Sequence, residues 1–237
     1  PLPGLKQLAQ QWIQRWDPVK GVTLNLQPRR TNQILGSTTT VLAGDPTIRE
    51  QFCGLELQLS TTTFFQINTP QAEAIVECLV HWLHQAAQLG PIVDAYCGIG
   101  TISLPLAARG HRVVGIEINP DSIEQADRNA TVNGLGPLTR FEAGDVADLL
   151  KQTLPGCSAL VVDPPRRGLE STVVAAILRD PPPLLAYLSC DMATQARDLK
   201  RLLQPEGPYQ LDQLQPVDFF PQTTHLENLA FLRRISS

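Results

Sequence analysis

Two segments carry side chains able to make and break covalent bonds. The apolar run Leu185–Leu188 leads into Ser189-Cys190-Asp191-Met192, and a helix-like stretch follows. A cysteine at the end of a strand and close to a helix amino terminus is expected to have its thiol pKa lowered from roughly 8.5 toward neutrality, which makes it a nucleophile. The second segment is Phe219-Phe220-Pro221-Gln222-Thr223-Thr224-His225-Leu226-Glu227-Asn228. It places His225 and Glu227 at the mouth of a terminal strand as candidate acid–base groups. Cys97 lies inside a glycine turn and competes with Cys190 for the nucleophile role, whereas Cys53, Cys78 and Cys157 lack such a setting.

A ligand site is written around Cys97. Val93-Asp94-Ala95-Tyr96-Cys97-Gly98-Ile99-Gly100-Thr101 follows a strand and opens a helix, and Gly98 and Gly100 allow close backbone approach. Ser103 stands where a dinucleotide fingerprint needs its third glycine, and Asp94 suits a pyrophosphate badly. The next strand ends in Glu117, placed to accept both hydroxyls of a ribose. Two acids and no phosphate cradle favour S-adenosylmethionine over a nicotinamide dinucleotide. In Val161-Val162-Asp163-Pro164-Pro165-Arg166 the prolines remove backbone donors and stiffen a strand exit. Arg166 stands where amine-methylating enzymes carry a stacking aromatic, so transfer to an exocyclic amine is disfavoured.

The elements that must position these residues fall into two patterns. Up to residue 65 a helix-like stretch, Leu5–Trp16, precedes short β-rich runs, Val22–Leu26 and Gln33–Leu42, punctuated by Gly36, Gly44-Asp45-Pro46 and Gly54. They predict a small antiparallel sheet. From Thr69-Pro70, a helix start, strands and helices alternate. Strands are expected at 91–95, 112–116, around Phe141, and at 159–162, 184–188, 209–214 and 226–232. Helices are expected at 101–109, 121–133, 171–178 and 193–203. Alternation of this kind gives an α/β fold, a doubly wound and mostly parallel sheet with its sites at the carboxyl ends of the strands. The expected division is a small α+β or β-rich subdomain over residues 1–65 and a cofactor-binding domain over 66–237.

Composition narrows the class. The chain has 237 residues, 43% hydrophobic and 18% charged, a globular balance. No apolar run is long enough to span a bilayer and no secretory signal is visible. Five cysteines without a Cys-x-x-Cys pair argue against a disulfide framework or a metal knuckle and for a reducing, cytoplasmic setting. The net charge of −4 denies the whole surface a nucleic-acid footprint. Residues 1–66 carry six basic and four acidic side chains, a weak local excess of +2.

Taken together, the motifs resemble the RNA uracil-5-methyltransferases, which form 5-methyluridine in transfer and ribosomal RNA. The matching stretches are Phe64-Phe65-Gln66-Ile67-Asn68, Asp94 to Thr101, Val114 to Glu117, Asp163 to Leu169, Leu188-Ser189-Cys190 with Thr194 to Leu199, and Phe220-Pro221 through Glu227. They stand in the family's order. The resemblance implies a Rossmann-like methyltransferase fold that contacts S-adenosylmethionine through Gln66, Tyr96, Gly98, Gly100, Thr101, Glu117 and Asp163. It implies Cys190 as nucleophile, Glu227 as general base, no metal, an RNA substrate and a monomer. Asp191-Met192 departs from the family's usual Asn-Pro, an extra acid expected to raise the thiol pKa. Many members begin with a small RNA-binding barrel, so the resemblance also implies that this chain is the catalytic part. The rival readings are a cytosine-C5 methyltransferase and a non-catalytic RNA-binding or folding module that keeps the pocket.

Overall fold

The structure is a computed structural model that describes residues 3–30, 35–86, 90–204 and 207–235. It begins with helix α1 (Leu5–Arg15), which packs on a hairpin of β1 (Gly21–Leu26) and β2 (Thr38–Gly44). Ala9 is the buried residue of α1, while Leu8, Trp12 and Trp16 stay exposed along one stripe. Residues 33–34 of the expected Gln33–Leu42 run lie outside the described residues, and the strand itself starts at Thr38.

A second hairpin pairs β3 (Thr47–Phe52) with β4 (Leu55–Ser60). Its two-residue turn, Cys53-Gly54, has φ of 50° and 75°, the left-handed backbone of the tightest hairpins. The two hairpins form separate two-stranded sheets rather than the single small sheet expected. The second one is built into the main core: Phe52, Leu57 and Leu59 are buried in the same apolar cluster as the central strands.

That centre is a seven-stranded sheet. Its strands are β5 (Ile92–Ala95), β6 (Val113–Glu117), β7 (Thr139–Ala143), β8 (Ala159–Val162), β9 (Leu184–Ser189), β10 (Tyr209–Val217) and β11 (Glu227–Arg234), in the order β10-β11-β9-β8-β5-β6-β7. Five strands are parallel; β11 runs antiparallel to β9, and β10 antiparallel to β11. The doubly wound, mostly parallel sheet expected from the alternation is therefore present. Strand periodicity sorts side chains to two faces. In β9, Leu184, Ala186 and Leu188 join the cluster containing α2 (Thr69–Ala86) and α3 (Ser103–Ala108). Leu185 and Tyr187 join the opposite cluster, with α5 (Val146–Thr153), α6 (Ser171–Arg179) and α7 (Met192–Leu202). Helix α5 was absent from the sequence expectation: it has only 8 residues, begun by Asp145, whose side chain accepts the Asp148 N–H.

The order of strands reverses between β5 and β8. Ligands in open sheets bind in the crevice outside the strand ends at such a switch. Six of the seven strands deliver their site-bearing loop or end residue to that one edge, because antiparallel β11 starts where the parallel strands stop.

Helix α4 (Pro120–Val132) fixes the second hairpin against this edge. Asn129 is fully buried; its Oδ1 accepts the Gln58 N–H at 2.8 Å and its Nδ2 donates to Ile99 O at 3.3 Å. Asn133, one turn on, accepts the Glu56 N–H at 3.1 Å and donates to Glu56 O at 2.8 Å. Two side-chain amides thus act as a partner strand for β4. We expect Asn129→Ala to leave several buried backbone groups unpaired and to cost about 2–3 kcal/mol. The thermal midpoint should then drop by roughly 4–12 °C, with a smaller loss for half-exposed Asn133. Equal melting of Asn129→Ala and the parent protein would show that the hairpin is held by its apolar face alone.

Candidate active site

At the sheet edge lies a cleft of about 680 Å³. Its walls contain Gln66, Tyr96, Gly98, Glu117, Asp163, Cys190 and Glu227, so seven of the nine residues singled out from sequence meet in one place. Gly100 and Thr101 are not on its walls. Gly100 has φ of 90°, and a Cβ there would press Leu104 at 3.1 Å, so its task is to let the turn pack on α3. Gly98, by contrast, faces open space at φ 54°, where an added Cβ would take up room in the cleft. Tyr96 holds a left-handed backbone, φ 69°, a strained conformation for a side chain of its size.

Cys190 and Glu227 are placed by strand ends. The β9/β11 ladder ends at the partners Ser189 and Asn228. One residue beyond that last rung come Cys190, after β9, and Glu227, the first residue of β11, and the Glu227 charge acts on the Cys190 thiol. Both reach the cleft. Cys97 does not: its sulfur is buried behind the turn, where a Cβ on Gly115 would meet it at 2.9 Å. Burial, then Asp94 and Glu117, push its thiol pKa well up. Of the two thiols that the sequence left in competition, Cys190 lines the cleft and Cys97 does not.

The expected lowering of the Cys190 pKa is not met. Burial raises it first, then the charges of Glu227 and Asp163, while Arg166 pulls it down. The helix terminus does not offset these effects. Asp191 is the N-cap, and its carboxylate accepts the Thr194 N–H at 2.8 Å, so the helix terminus is satisfied by Asp191 rather than by the thiol. That bond holds the Asp191 pKa below its usual value. Asp191 therefore faces its own helix, and the carboxylates that raise the thiol pKa are Glu227 and Asp163.

The cleft is acidic inside. Glu117, Asp145, Asp163, Glu170 and Glu227 line it against Arg166 and Arg167. Burial pushes Asp163 up to about 8, helped by Glu227 and by Asp94. Burial likewise raises Glu227, against the pull of Arg166. Asp94, fully buried beneath the turn, is pushed up to about 7 by burial. Its Oδ2 accepts the Ser103 hydroxyl at 2.5 Å, while Oδ1 has no partner among the described residues. Carboxylates that repel one another around a cleft favour a positively charged ligand. Glu117 is held for use: Oε1 accepts the Asn119 N–H at 2.9 Å and Oε2 the Gly98 N–H at 3.3 Å, which ties the end of β6 to the glycine turn.

Several wall residues escaped the sequence reading. Asp145 with Val146 and Ala147 opens α5 at the end of β7, and the signal was Gly144-Asp145, an acid at a strand-to-helix junction. Arg166 and Phe220 were noticed as motif members but not as walls, whereas His225, read from sequence as a candidate acid–base group, does line the cleft. His225 is exposed, its ring 6.1 Å from that of Phe220. Phe64, 72% exposed, stands at the same rim. The segment bearing Phe64 and Gln66 is tied to the Phe220 loop by Asn68 Nδ2 donating to Phe219 O at 3.0 Å.

The comparisons with known proteins agree with this geometry. An uncharacterised RNA methyltransferase of Parasynechococcus marenigrum is 83% identical over 236 residues, covering all of this chain and 51% of the relative. Another, from Nostoc, is 42% identical over 98% of this chain and 50% of the relative. The chain thus spans about half the length of the curated relatives it matches. Among solved structures, the tRNA (uracil-54, C5)-methyltransferase of Pyrococcus abyssi, in complex with S-adenosyl-L-homocysteine, superposes with a TM-score of 0.74 at 29% identity, over 90% of this chain and 50% of that one. The tRNA (uracil-5-)-methyltransferase family model matches residues 50–235, which takes in most of the second hairpin, the whole seven-stranded sheet and every wall of the cleft, and the chain belongs to that family.

Proposed function

We propose that this chain is the catalytic part of an S-adenosylmethionine-dependent RNA methyltransferase that modifies carbon 5 of a uridine. The observation that carries this reading is the register of β9 and β11, which brings a thiol and a carboxylate together in an acidic cleft. The substrate is a transfer or ribosomal RNA; the family description and the Pyrococcus neighbour support transfer RNA. Residues 1–65 are read as the RNA-facing part.

The cleft residues fit the cofactor. Gly98 leaves room for it, Glu117 offers its carboxylate to the ribose hydroxyls, and Asp163 with the other acids favours a cationic ligand. When bound, S-adenosylmethionine supplies an electrophilic methyl group. The protein makes the acceptor. Carbon 5 of uracil is a weak nucleophile until the Cys190 sulfur adds to carbon 6 and leaves carbon 5 electron-rich. That addition needs a thiolate, and Arg166 is the protein's own positive charge pulling the thiol pKa down against Glu227 and Asp163. After methylation carbon 5 still bears a proton. Glu227, kept basic by burial, is placed to remove it; the freed electron pair restores the ring double bond and expels the sulfur. A uridine inside a stack hides carbon 6, so the base is flipped out or already unpaired.

Cys190→Ala should lower turnover by at least about 10⁴-fold while S-adenosylmethionine still binds, since a group that forms the intermediate cannot be bypassed. Calorimetry and labelled-methyl incorporation measure the two; turnover in the variant would sink the assignment.

Glu227→Gln should lower turnover by roughly 10²–10⁴-fold and stall after methyl transfer, leaving a covalent protein–RNA adduct on a denaturing gel. Normal turnover without an adduct would reduce Glu227 to a wall residue.

Cofactor affinity should depend on pH. Asp94 near 7 and Asp163 near 8 take up protons as the pH falls through these values. A cation favours their ionised forms, so binding releases protons and weakens by roughly tenfold between about pH 9 and pH 6. The uncharged sulfur of S-adenosylhomocysteine should give a shallower slope. Identical, flat titrations of both ligands would mean that these carboxylates do not face the sulfonium.

A further inference from the structure

Helix α7 carries the stretch Thr194 to Leu199, to which neither the cofactor site nor the reacting pair assigns a task. Its side-chain bonds to other elements run to the loop after Asp163 and to strands β9 and β11. The Thr194 hydroxyl donates to Arg166 O at 3.1 Å, and Arg197 Nη2 donates to Arg167 O at 2.8 Å. Asp198, fully buried, accepts the Leu169 N–H at 2.8 Å and the Tyr187 hydroxyl at 3.0 Å. Gly168 has φ of 74°, and a Cβ there would run into the Asp198 carboxylate. One side of α7 thus seats the loop that leads away from Asp163.

Gln195 does something different. It is 2% exposed and does not touch the cleft. Its Nε2 donates to Tyr187 O on β9 at 2.9 Å and to Asn228 O on β11 at 3.0 Å. Its Oε1 accepts from Asn228 Nδ2 at 2.6 Å. Both amide hydrogens are used, one on each strand, at the point where the ladder ends. Beyond it the strands are free to separate, and the next residues are Cys190 and Glu227.

We propose that Gln195 is a positioning residue for the Cys190–Glu227 pair, a role that rests on the chemistry proposed above. Its amide clasps β9 to β11 at the last rung and sets the gap across which the adduct is resolved. In that step Glu227 takes the carbon-5 proton, the electrons of the C–H bond become the carbon 5–carbon 6 double bond, and the C6–S bond breaks with its pair returning to sulfur. Addition of the thiol requires Cys190 and the base alone. Resolution requires Glu227 to reach the carbon-5 proton of a ring already tethered to Cys190, so it is the step most sensitive to the gap.

The test is Gln195→Met, of similar length but unable to make the three bonds, in the full-length protein with unmodified transfer RNA transcripts. Release of tritium from 5-tritiated uridine and incorporation of labelled methyl are followed together. We expect S-adenosylhomocysteine affinity within about twofold of the parent and resolution slowed about 10- to 100-fold, the cost of misplacing a reacting group by an ångström or less. A methylated protein–RNA adduct should accumulate, and 5-deuteration should slow the variant more than the parent. Parent-like turnover with no adduct overturns the proposal. So does a parallel loss of cofactor affinity and methyl transfer with no adduct, which is what general loosening would give. Where Gln195→Met does not fold, Asn228→Ala decides in the same assay, since it removes only the Nδ2 bond and should give a smaller build-up of the same adduct. Glu227→Gln runs alongside: absence of an adduct there overturns the chemistry itself, and the role of Gln195 with it.

Discussion

Strand β11 enters the sheet against the direction of β9, and the register that pairs Asn228 with Ser189 fixes what can happen at the sheet edge. In a wholly parallel sheet every strand would arrive at the cleft by its carboxyl end, and neighbouring end residues would be followed by loops that diverge. An antiparallel neighbour arrives by its amino end instead. Its first residue, Glu227, is held on its other side by pairing with Val217 of β10 and stands one residue beyond the last β9/β11 rung. A thiol and a carboxylate are brought to one place by strand ends rather than by two independent loops, each next to a buried residue of that rung. The rest of the site is arranged around this constraint. Strands β5, β6, β7 and β8 end along one side of the pair and carry the turn, Glu117, Asp145 and Asp163.

The same arrangement gathers carboxylates at a cost. Asp94, Asp163 and Glu227 raise one another or are raised by burial, and Asp94 Oδ1 is unpartnered among the described residues. A buried polar atom without a partner costs about 1–3 kcal/mol, and the fold tolerates it beside the cleft rather than in the core. The opposing charges, Arg166 and Arg167, are exposed at the rim. Interior acidity suits a cation lodged deep in the cleft; rim arginines suit a polyanion arriving from outside. A net charge of −4 does not preclude a locally basic rim, because the two signs occupy different depths.

Much of this was legible in the residues. The alternation from Thr69 onward located the parallel strands within a few residues of their observed bounds, because helix and strand periods differ and both faces of the sheet are apolar. Cys190, Glu227, Glu117 and Asp163 stood out since each is polar at the end of an apolar run. The pKa of Cys190 was not legible. It depends on which carboxylates the topology brings beside the sulfur, and both Glu227 and Asp163 are far away in sequence. Asp191 was read as a neighbour of the thiol when it is a helix cap, a difference of side-chain direction that spacing does not encode. Gly100 was read from the turn and Thr101 from the resemblance; neither is on the cleft walls, and Gly100 packs against Leu104 of α3. Gln195 and Asn129 gave no signal of their own, since an amide in a helix reads as a solvated residue until its neighbours are known.

Those two amides share a physical logic. Each lies on a helix, each is buried, and each bridges two backbone segments: Gln195 joins β9 to β11, and Asn129 joins β4 to the glycine turn at Ile99. Backbone ends expose both donors and acceptors, and an amide satisfies both with one neutral group. A carboxylate could only accept, and near Asp94, Asp163 and Glu227 it would add to a field that already disfavours ionisation. An arginine or lysine could only donate, and it would neutralise the acidity that a cationic ligand needs. Neutral amides are therefore the side chains able to lock these junctions without disturbing the electrostatics of the cleft a few residues away. The strand that leads to Phe64 and Gln66 is fastened to the glycine turn by one of them, and the strand before Cys190 to the strand that begins at Glu227 by the other. Both halves of the cleft are in this way tied by amides that are not on its walls: Asn129 of α4 and Gln195 of α7.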